Sequence, residues 1–167
     1  YPKEKQLTKQ AKKIAYLPSQ SGYMLIGFRG TAISDPDSYA LDVLAAILGE
    51  GRSSVFYQDI KNKSQLAYSI SASNAGFRDD GIFYISANFT PDKLNKLEKT
   101  IFDKINEIKQ NGVTQEQISL AKNLIERNTY YERESISNMA QELGYIMVTA
   151  NDIRVYDDYV ANIRNVT

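Results

Sequence analysis

The sequence predicts an α+β fold, a two-layer sandwich in which helices pack on one face of a mostly antiparallel sheet. Segments with alternating apolar residues come in adjacent pairs, 11–17 with 22–29 and 65–73 with 82–89. Segments with helical spacing come in runs, most of them in the second half of the chain. Because strands do not alternate strictly with helices, a doubly wound parallel sheet is not expected.

The first strand pair is predicted from the turn "PSQSG" between its members. The second member, "GYMLIGFR", carries apolar residues on both faces, so we expect both to be buried or half-buried. The next helix begins at Asp35, whose carboxylate can accept hydrogen bonds from free backbone N–H groups. It ends at Gly49, since glycine enters the left-handed cap conformation at little cost. A short second helix is expected over 53–63, with Ser53 or Ser54 as its cap.

The second strand pair is predicted to form a hairpin, because the connection "NAGFRDDG" is rich in turn residues. One face of its first strand carries Leu66, Tyr68, Ile70 and Ala72. On this periodicity alone, Tyr68 is interpreted as a core residue. Helices are then predicted over 91–111, 114–131, 135–148 and 152–163. Thr114 and Gln117 have the spacing of a capping box for the second of these.

Composition excludes several classes of function. The 20 basic and 20 acidic residues balance, which argues against a dedicated nucleic-acid binder. The chain has no cysteine, so disulfides are excluded, but this leaves both the cytoplasm and the periplasm open. It also has no histidine, which removes the usual general base and the commonest zinc ligand. No apolar run reaches the roughly 18 residues of a membrane span.

The length suits one domain, 1–167. Because the chain starts at Tyr1 and stops at "NIRNVT", we expect this domain to be a fragment of a longer protein.

The glycine-rich stretch "GEGRSS" could be a phosphate-binding loop or a structural turn. A phosphate-binding loop follows a strand and places a lysine before the serine or threonine. Here the stretch follows a helix, and Arg52 stands at the lysine position. A turn between two helices is therefore favoured.

The stretch "IERNTYYERES" offers three carboxylates, from Glu126, Glu132 and Glu134, beside Arg127 and Arg133. Such a set suits a hard cation better than zinc. Helical spacing spreads the carboxylates around the helix, so ion pairs three and four residues apart along a solvated helix are the favoured interpretation.

The segment "YALDVLAAILGEGRSSVFYQDIKNKSQLAYSISA" resembles the second, non-catalytic domain of the pitrilysin/insulinase-type zinc metallopeptidases, a superfamily that includes mitochondrial processing peptidase. The resemblance implies two homologous halves that close like a clamshell, with the zinc motif His-x-x-Glu-His on the other half. Superposed on this chain, that motif falls on "DVLAA". Asp42 and Ala46 then stand at the histidine positions and Ala45 at the glutamate position. Zinc is thus expected in the parent enzyme and no metal or catalytic residue in this chain.

The resemblance also implies which residues face the substrate. The non-catalytic half contributes a basic residue and a tyrosine seven positions apart, which correspond to Lys61 and Tyr68. Both can donate to a peptide carbonyl oxygen as it becomes an oxyanion. The family usually has arginine at the first position, and lysine keeps the charge without the planar fork. Ser53 and Ser54 are then caps rather than nucleophiles.

The implied partners are a catalytic homologous domain or subunit and a peptide substrate. An apolar flank that docks on the other half is also expected, and through it the isolated chain can form homo-oligomers. The alternative function is a catalytically dead structural or interaction subunit of the same fold. A His-x-x-Glu-His sequence upstream or on a partner chain distinguishes the two.

Overall fold

The computed structural model describes residues 8–167, and its sheet confirms the predicted fold class. Within this range the sheet has the strands β1 (Gly22–Gly30), β2 (Ser69–Gly76) and β3 (Gly81–Phe89). Their order is β1-β3-β2, and both pairings are antiparallel. The predicted hairpin of the second strand pair is confirmed, although β2 begins at Ser69 rather than at residue 65.

The helices follow the predicted order. They are α1 (Asp37–Gly49), a π-helical segment (Tyr57–Lys63), α2 (Leu94–Asn111), α3 (Gln115–Arg133), α4 (Ile136–Thr149), α5 (Arg154–Asp157) and α6 (Tyr159–Asn165). A single 3₁₀ turn at Pro91–Lys93 leads into α2. Among residues 8–167, none of these helices is long and apolar enough to cross a membrane.

The predicted strand at 11–17 is wrong. These residues form no strand and are exposed, and Lys12 is held on α2 by an ion pair with Glu98. β1 instead pairs along its whole length with β3, from Gly22 opposite Phe89 to Gly30 opposite Gly81. The reason is burial: β1 gains a covered face in this pairing, whereas segment 11–17 buries no side chain to offset the entropy of ordering it.

The two faces of the sheet differ in exposure. The inner face of β3 carries Phe83, Ile85, Ala87 and Phe89, all buried. They share one core with Leu48 of α1 and with Leu97 and Ile101 of α2. On the outer face of β1, Tyr23 and Leu25 are 77% and 68% exposed. The prediction that both faces of β1 would be buried or half-buried is therefore wrong.

A second core lies on the far side of α1. Val43, Ala46 and Ile47 pack there against α3 and α6. The contributions of the other two helices are Ile118, Ala121, Ile125 and Ile163. Helix α1 is thus sandwiched between the sheet and two other helices, which explains why its buried residues run nearly all round it.

The predicted cap of α3 is confirmed, whereas α1 begins at Asp37 with Pro36 at the cap position and no side-chain cap. Asp35 Oδ1 accepts the N–H of Asp37 at 2.9 Å. Thr114 and Gln117 form both hydrogen bonds of a capping box.

The end of α1 is correctly placed, but its predicted cause is wrong. Gly49 does not have a positive φ; that conformation belongs to Gly51, at φ 74°. A Cβ at Gly49 would instead lie 2.0 Å from the backbone nitrogen of Ala72. Glycine is required here because the end of α1 touches the backbone of β2.

Candidate functional site

The turn after α1 is held by its own hydrogen bonds. The buried Ser54 donates its hydroxyl to the Gly51 carbonyl at 2.9 Å, and Gln58 Nε2 donates to the Arg52 carbonyl at 2.6 Å. The prediction that Ser53 or Ser54 caps the next helix is wrong for the π-helical segment, which has no side-chain cap. The serine hydroxyl here donates to a carbonyl instead of accepting from a helix N–H. This arrangement is that of a structural turn.

The π-helical segment presents Lys61. Phe56 and Ile60 are fully buried and anchor the segment in the core. Lys61 is half-buried, and its Nζ lies 5.2 Å from the centre of the Tyr57 ring, within cation–π range. The sequence predicted that Lys61 and Lys63 end this helix, and the structure confirms it. Short π-helical turns are frequent at functional sites.

The link from this segment to β2 is fixed at several points. The N–H of Leu66 donates to the carbonyl of Ile60 at 2.9 Å, and Leu66 and Ala67 are buried. Gln65 adopts φ 51°, in the left-handed region, and its carbonyl accepts from Lys93 Nζ at 2.8 Å. Tyr68 therefore follows a segment with little freedom to move.

Tyr68 lies at a local irregularity of the sheet. Its N–H donates to the Asn88 carbonyl at 2.7 Å, although the register pairs Asn88 with Ser69. Tyr68 itself lies one residue before β2 and outside its pairing with β3. Tyr68 is 58% exposed, and its phenol makes no hydrogen bond within residues 8–167. The prediction that Tyr68 is a core residue on the face of Ile70 and Ala72 is wrong, because the strand that carries those two residues begins only at Ser69.

Lys61 and Tyr68 therefore flank one fixed connection. Lys61 sits near the end of the π-helical segment and Tyr68 at the entrance of β2. Both are accessible from solvent, and both can donate hydrogen bonds. Sequence reasoning did not single out Asn88, because its role depends on strand register.

The position superposed on the zinc motif holds a half-buried polar cluster. Asp42 accepts hydrogen bonds from Asn74 Nδ2 at 2.9 Å and from the Tyr159 hydroxyl at 3.1 Å. Burial nonetheless raises the pKa of the Asp42 carboxyl, since desolvation outweighs these two bonds. Burial and the nearby Asp42 charge also raise the pKa of Tyr159, which stays a neutral donor. Ala45 and Ala46 are buried in the two cores.

The acidic cluster of α3 makes ion pairs, but not those predicted. Glu126 pairs with Arg164 of α6, and Arg133 pairs with Glu142 of α4 at 3.2 Å. Arg133 also lies 3.6 Å from the centre of the Tyr156 ring. These contacts join helices to one another instead of running along α3. In the described part of the chain, no group of three His, Cys, Asp or Glu side chains could hold a metal ion.

Comparison with known proteins finds one family model and relatives that are named as zinc proteases. A family model described as the peptidase M16 inactive domain matches residues 1–125. An uncharacterized zinc protease of Streptomyces coelicolor is 27% identical over 149 residues, which are 89% of this chain and 32% of that protein. An uncharacterized zinc protease of Rickettsia bellii is 32% identical over 122 residues, which are 72% of this chain and 29% of that protein.

A solved structure shows the same fold. The crystal structure of a protease from Helicobacter pylori superposes with a TM-score of 0.80 at 25% identity, covering 89% of this chain and 36% of that one. The chain thus spans about a third of the length of the curated relatives it matches.

Proposed function

Because the chain belongs to the peptidase M16 inactive-domain family, we propose that it is the substrate-confining half of a zinc-dependent metalloendopeptidase. The zinc motif His-x-x-Glu-His then lies on another domain or chain. The names of the relatives as zinc proteases support this function, and so does the share of their length that this chain spans. The partner is the homologous catalytic half, and the substrate is a peptide held between the two.

The observation that carries the proposal is that the phenol of Tyr68 is exposed and has no hydrogen-bond partner within residues 8–167. A phenol that is exposed and free of hydrogen bonds within residues 8–167 stands on a connection fixed by buried neighbours. Such a group can donate to the carbonyl oxygen of a bound peptide. The hydrogen bond strengthens as that oxygen gains negative charge, which lowers the barrier more than it stabilises the ground state.

Lys61 supplies positive charge to the same end of the site. The residue is half-buried and its Nζ lies 5.2 Å from the centre of the Tyr57 ring, so the direction of the side chain is restricted. A lysine acts here as a single positive charge with rotatable donors, without the two-point grip of a guanidinium. Its contribution is therefore electrostatic attraction toward the developing oxyanion.

The experiment that tests the proposal is Tyr68→Phe in the complete enzyme. Removal of one hydroxyl leaves the ring in place, so a fall in kcat/KM reports the lost hydrogen bond. Unchanged kinetics would remove Tyr68 from the site. A complete protein that lacks the sequence His-x-x-Glu-His in both halves would instead favour the structural or interaction subunit.

A further inference from the structure

Strand β1 is an open edge of the sheet in the described part of the chain. Its nine residues pair with β3 without interruption, and within residues 8–167 no backbone hydrogen bond is made at its other edge. In an antiparallel sheet, every second residue of an edge strand directs its N–H and C=O groups away from the sheet. β1 therefore presents a row of backbone donors and acceptors that a further strand can pair with.

The core beside this edge is incompletely covered. Met24, Ile26 and Phe28 lie on the inner face of β1, each opposite a buried residue of β3. They pack against the first core, yet all three are only half-buried. A strand added beside β1 would cover this apolar row as well as pair with the backbone, so the same edge lacks both kinds of contact.

Nothing in the strand itself discourages such pairing. β1 contains no proline and no lysine, its register has no bulge, and its single charge, Arg29, lies near its end. Edge strands that stay free commonly carry one of these protective features. The segment before β1 does not cover the edge, because residues 11–17 are exposed and form no strand, and Lys12 is bound to Glu98 of α2.

We propose that this edge binds a second copy of the chain, with the two β1 strands antiparallel across a two-fold axis at Ile26. The residue pattern of β1 is complementary to itself in this register. Ile26 meets the same residue of the second copy, and Met24 meets its Phe28, so the inner rows of the two copies become continuous. The inference is independent of the proposed function.

The outer face of β1 fits the same register. Leu25 is 68% exposed and lies opposite the second copy's Gly27, which has no side chain to obstruct it. Tyr23 lies opposite the second copy's Arg29, and an aromatic ring accepts a guanidinium on its face. No two like charges meet along the shared seam. Because the contact is one pair of strands with their flanking side chains, we expect a weak, concentration-dependent dimer.

The first test is sedimentation equilibrium of the chain from low micromolar to near-millimolar concentration. A monomer–dimer equilibrium is expected. Leu25→Lys removes apolar contacts and brings like charges together near the axis, so it should raise the dissociation constant about tenfold or more. Leu120→Lys is the matched control, because Leu120 is an exposed leucine on α3, and it should leave the equilibrium unchanged.

The second test is disulfide cross-linking, which is specific because the chain has no cysteine of its own. Ile26→Cys places two thiols directly opposite one another across the axis, within the range of a disulfide. Tyr23→Cys is the control, since Tyr23 is more exposed but stands about 20 Å from its equivalent in this register. Mild oxidation should give a covalent dimer of Ile26→Cys and little or none of Tyr23→Cys.

Four results overturn the pairing. The first is a monomer at every concentration, and the second is equal cross-linking through Ile26→Cys and Tyr23→Cys. The third is a dimer that is insensitive to Leu25→Lys and not cross-linked through Ile26→Cys, which would use another surface. The fourth is a complete protein in which Ile26→Cys gives no covalent dimer, because another segment of the same polypeptide would then cover the edge.

Discussion

Tyr68 donates its backbone N–H to the Asn88 carbonyl at 2.7 Å, while the sheet register pairs Asn88 with Ser69. Tyr68 thus lies where the chain enters the sheet, one residue before the pairing of β2 with β3 begins. Its side chain is 58% exposed, although the preceding Leu66 and Ala67 are buried. The proposed donor is therefore accessible at the edge of the sheet.

Tyr68→Phe is expected to lower kcat/KM of the complete enzyme by an amount equivalent to about 1–3 kcal/mol in the activation barrier. The physical reason is the loss of one donor to the developing oxyanion. The measurement is steady-state kinetics with a single peptide. Tyr131→Phe is the control, because Tyr131 is an exposed tyrosine on α3, and it should retain wild-type kinetics. Equal effects of both changes would contradict the role of Tyr68.

Lys61→Met is expected to reduce kcat/KM by roughly tenfold, since it removes a positive charge near the oxyanion but keeps the length of the side chain. Lys61→Arg should keep most of the activity, because the charge remains. Lys63→Met, at the exposed end of the same segment, is the matched control. Equal losses of kcat/KM in Lys61→Met and Lys63→Met would contradict a specific role of Lys61, because they would show that any positive charge removed from this segment has the same effect.

Asp42→Asn is expected to change the pH dependence of stability. Burial raises the folded-state pKa of Asp42 above its ordinary value of 3.8, so the folded state holds this proton more tightly than the unfolded state. The resulting stabilisation is complete below the unfolded pKa and is lost as pH rises through the folded pKa. The Tm of the wild type minus that of Asp42→Asn should therefore fall as pH rises from about 4 towards neutrality. A difference that grows with pH would mean that the two hydrogen bonds outweigh burial.

Gly49→Ala is expected to destabilise the fold by at least about 1–3 kcal/mol, because the new methyl group overlaps the β2 backbone at Ala72. Gly144→Ala is the control within a helix. No atom lies within 4 Å of a Cβ at Gly144, so this change should stabilise α4 by about 0.5–1 kcal/mol. Chemical denaturation of both variants measures the difference, and equal stabilities would contradict the close contact.

The purified chain is expected to bind no stoichiometric zinc. The physical reason is its composition, which lacks histidine and cysteine, the ligands that zinc prefers. Metal analysis after dialysis against zinc measures this directly, with the complete enzyme as the positive control. One tightly held zinc per isolated chain would contradict the assignment of the motif to the other half.

The sequence by itself determined the properties that depend on residue type or on neighbours a few positions apart. The lack of imidazole follows from composition, and the Thr114 and Gln117 capping box follows from a spacing of three residues. The helices and the hairpin could be predicted for the same reason, because their hydrogen bonds join residues that are close in the sequence.

Only the tertiary structure decided which distant segments meet. Segment 11–17 has residues suited to a strand, but nothing in residues 8–167 buries them, whereas β1 pairs with β3 across the intervening residues 31–80. The need for glycine at Gly49, the pairing of Glu126 with Arg164 and the exposure of Tyr68 all arise from such long-range contacts. The energy of a contact of this kind depends on the shapes of both segments that meet. The residue pattern of one segment therefore does not reveal which distant segment it will pack against.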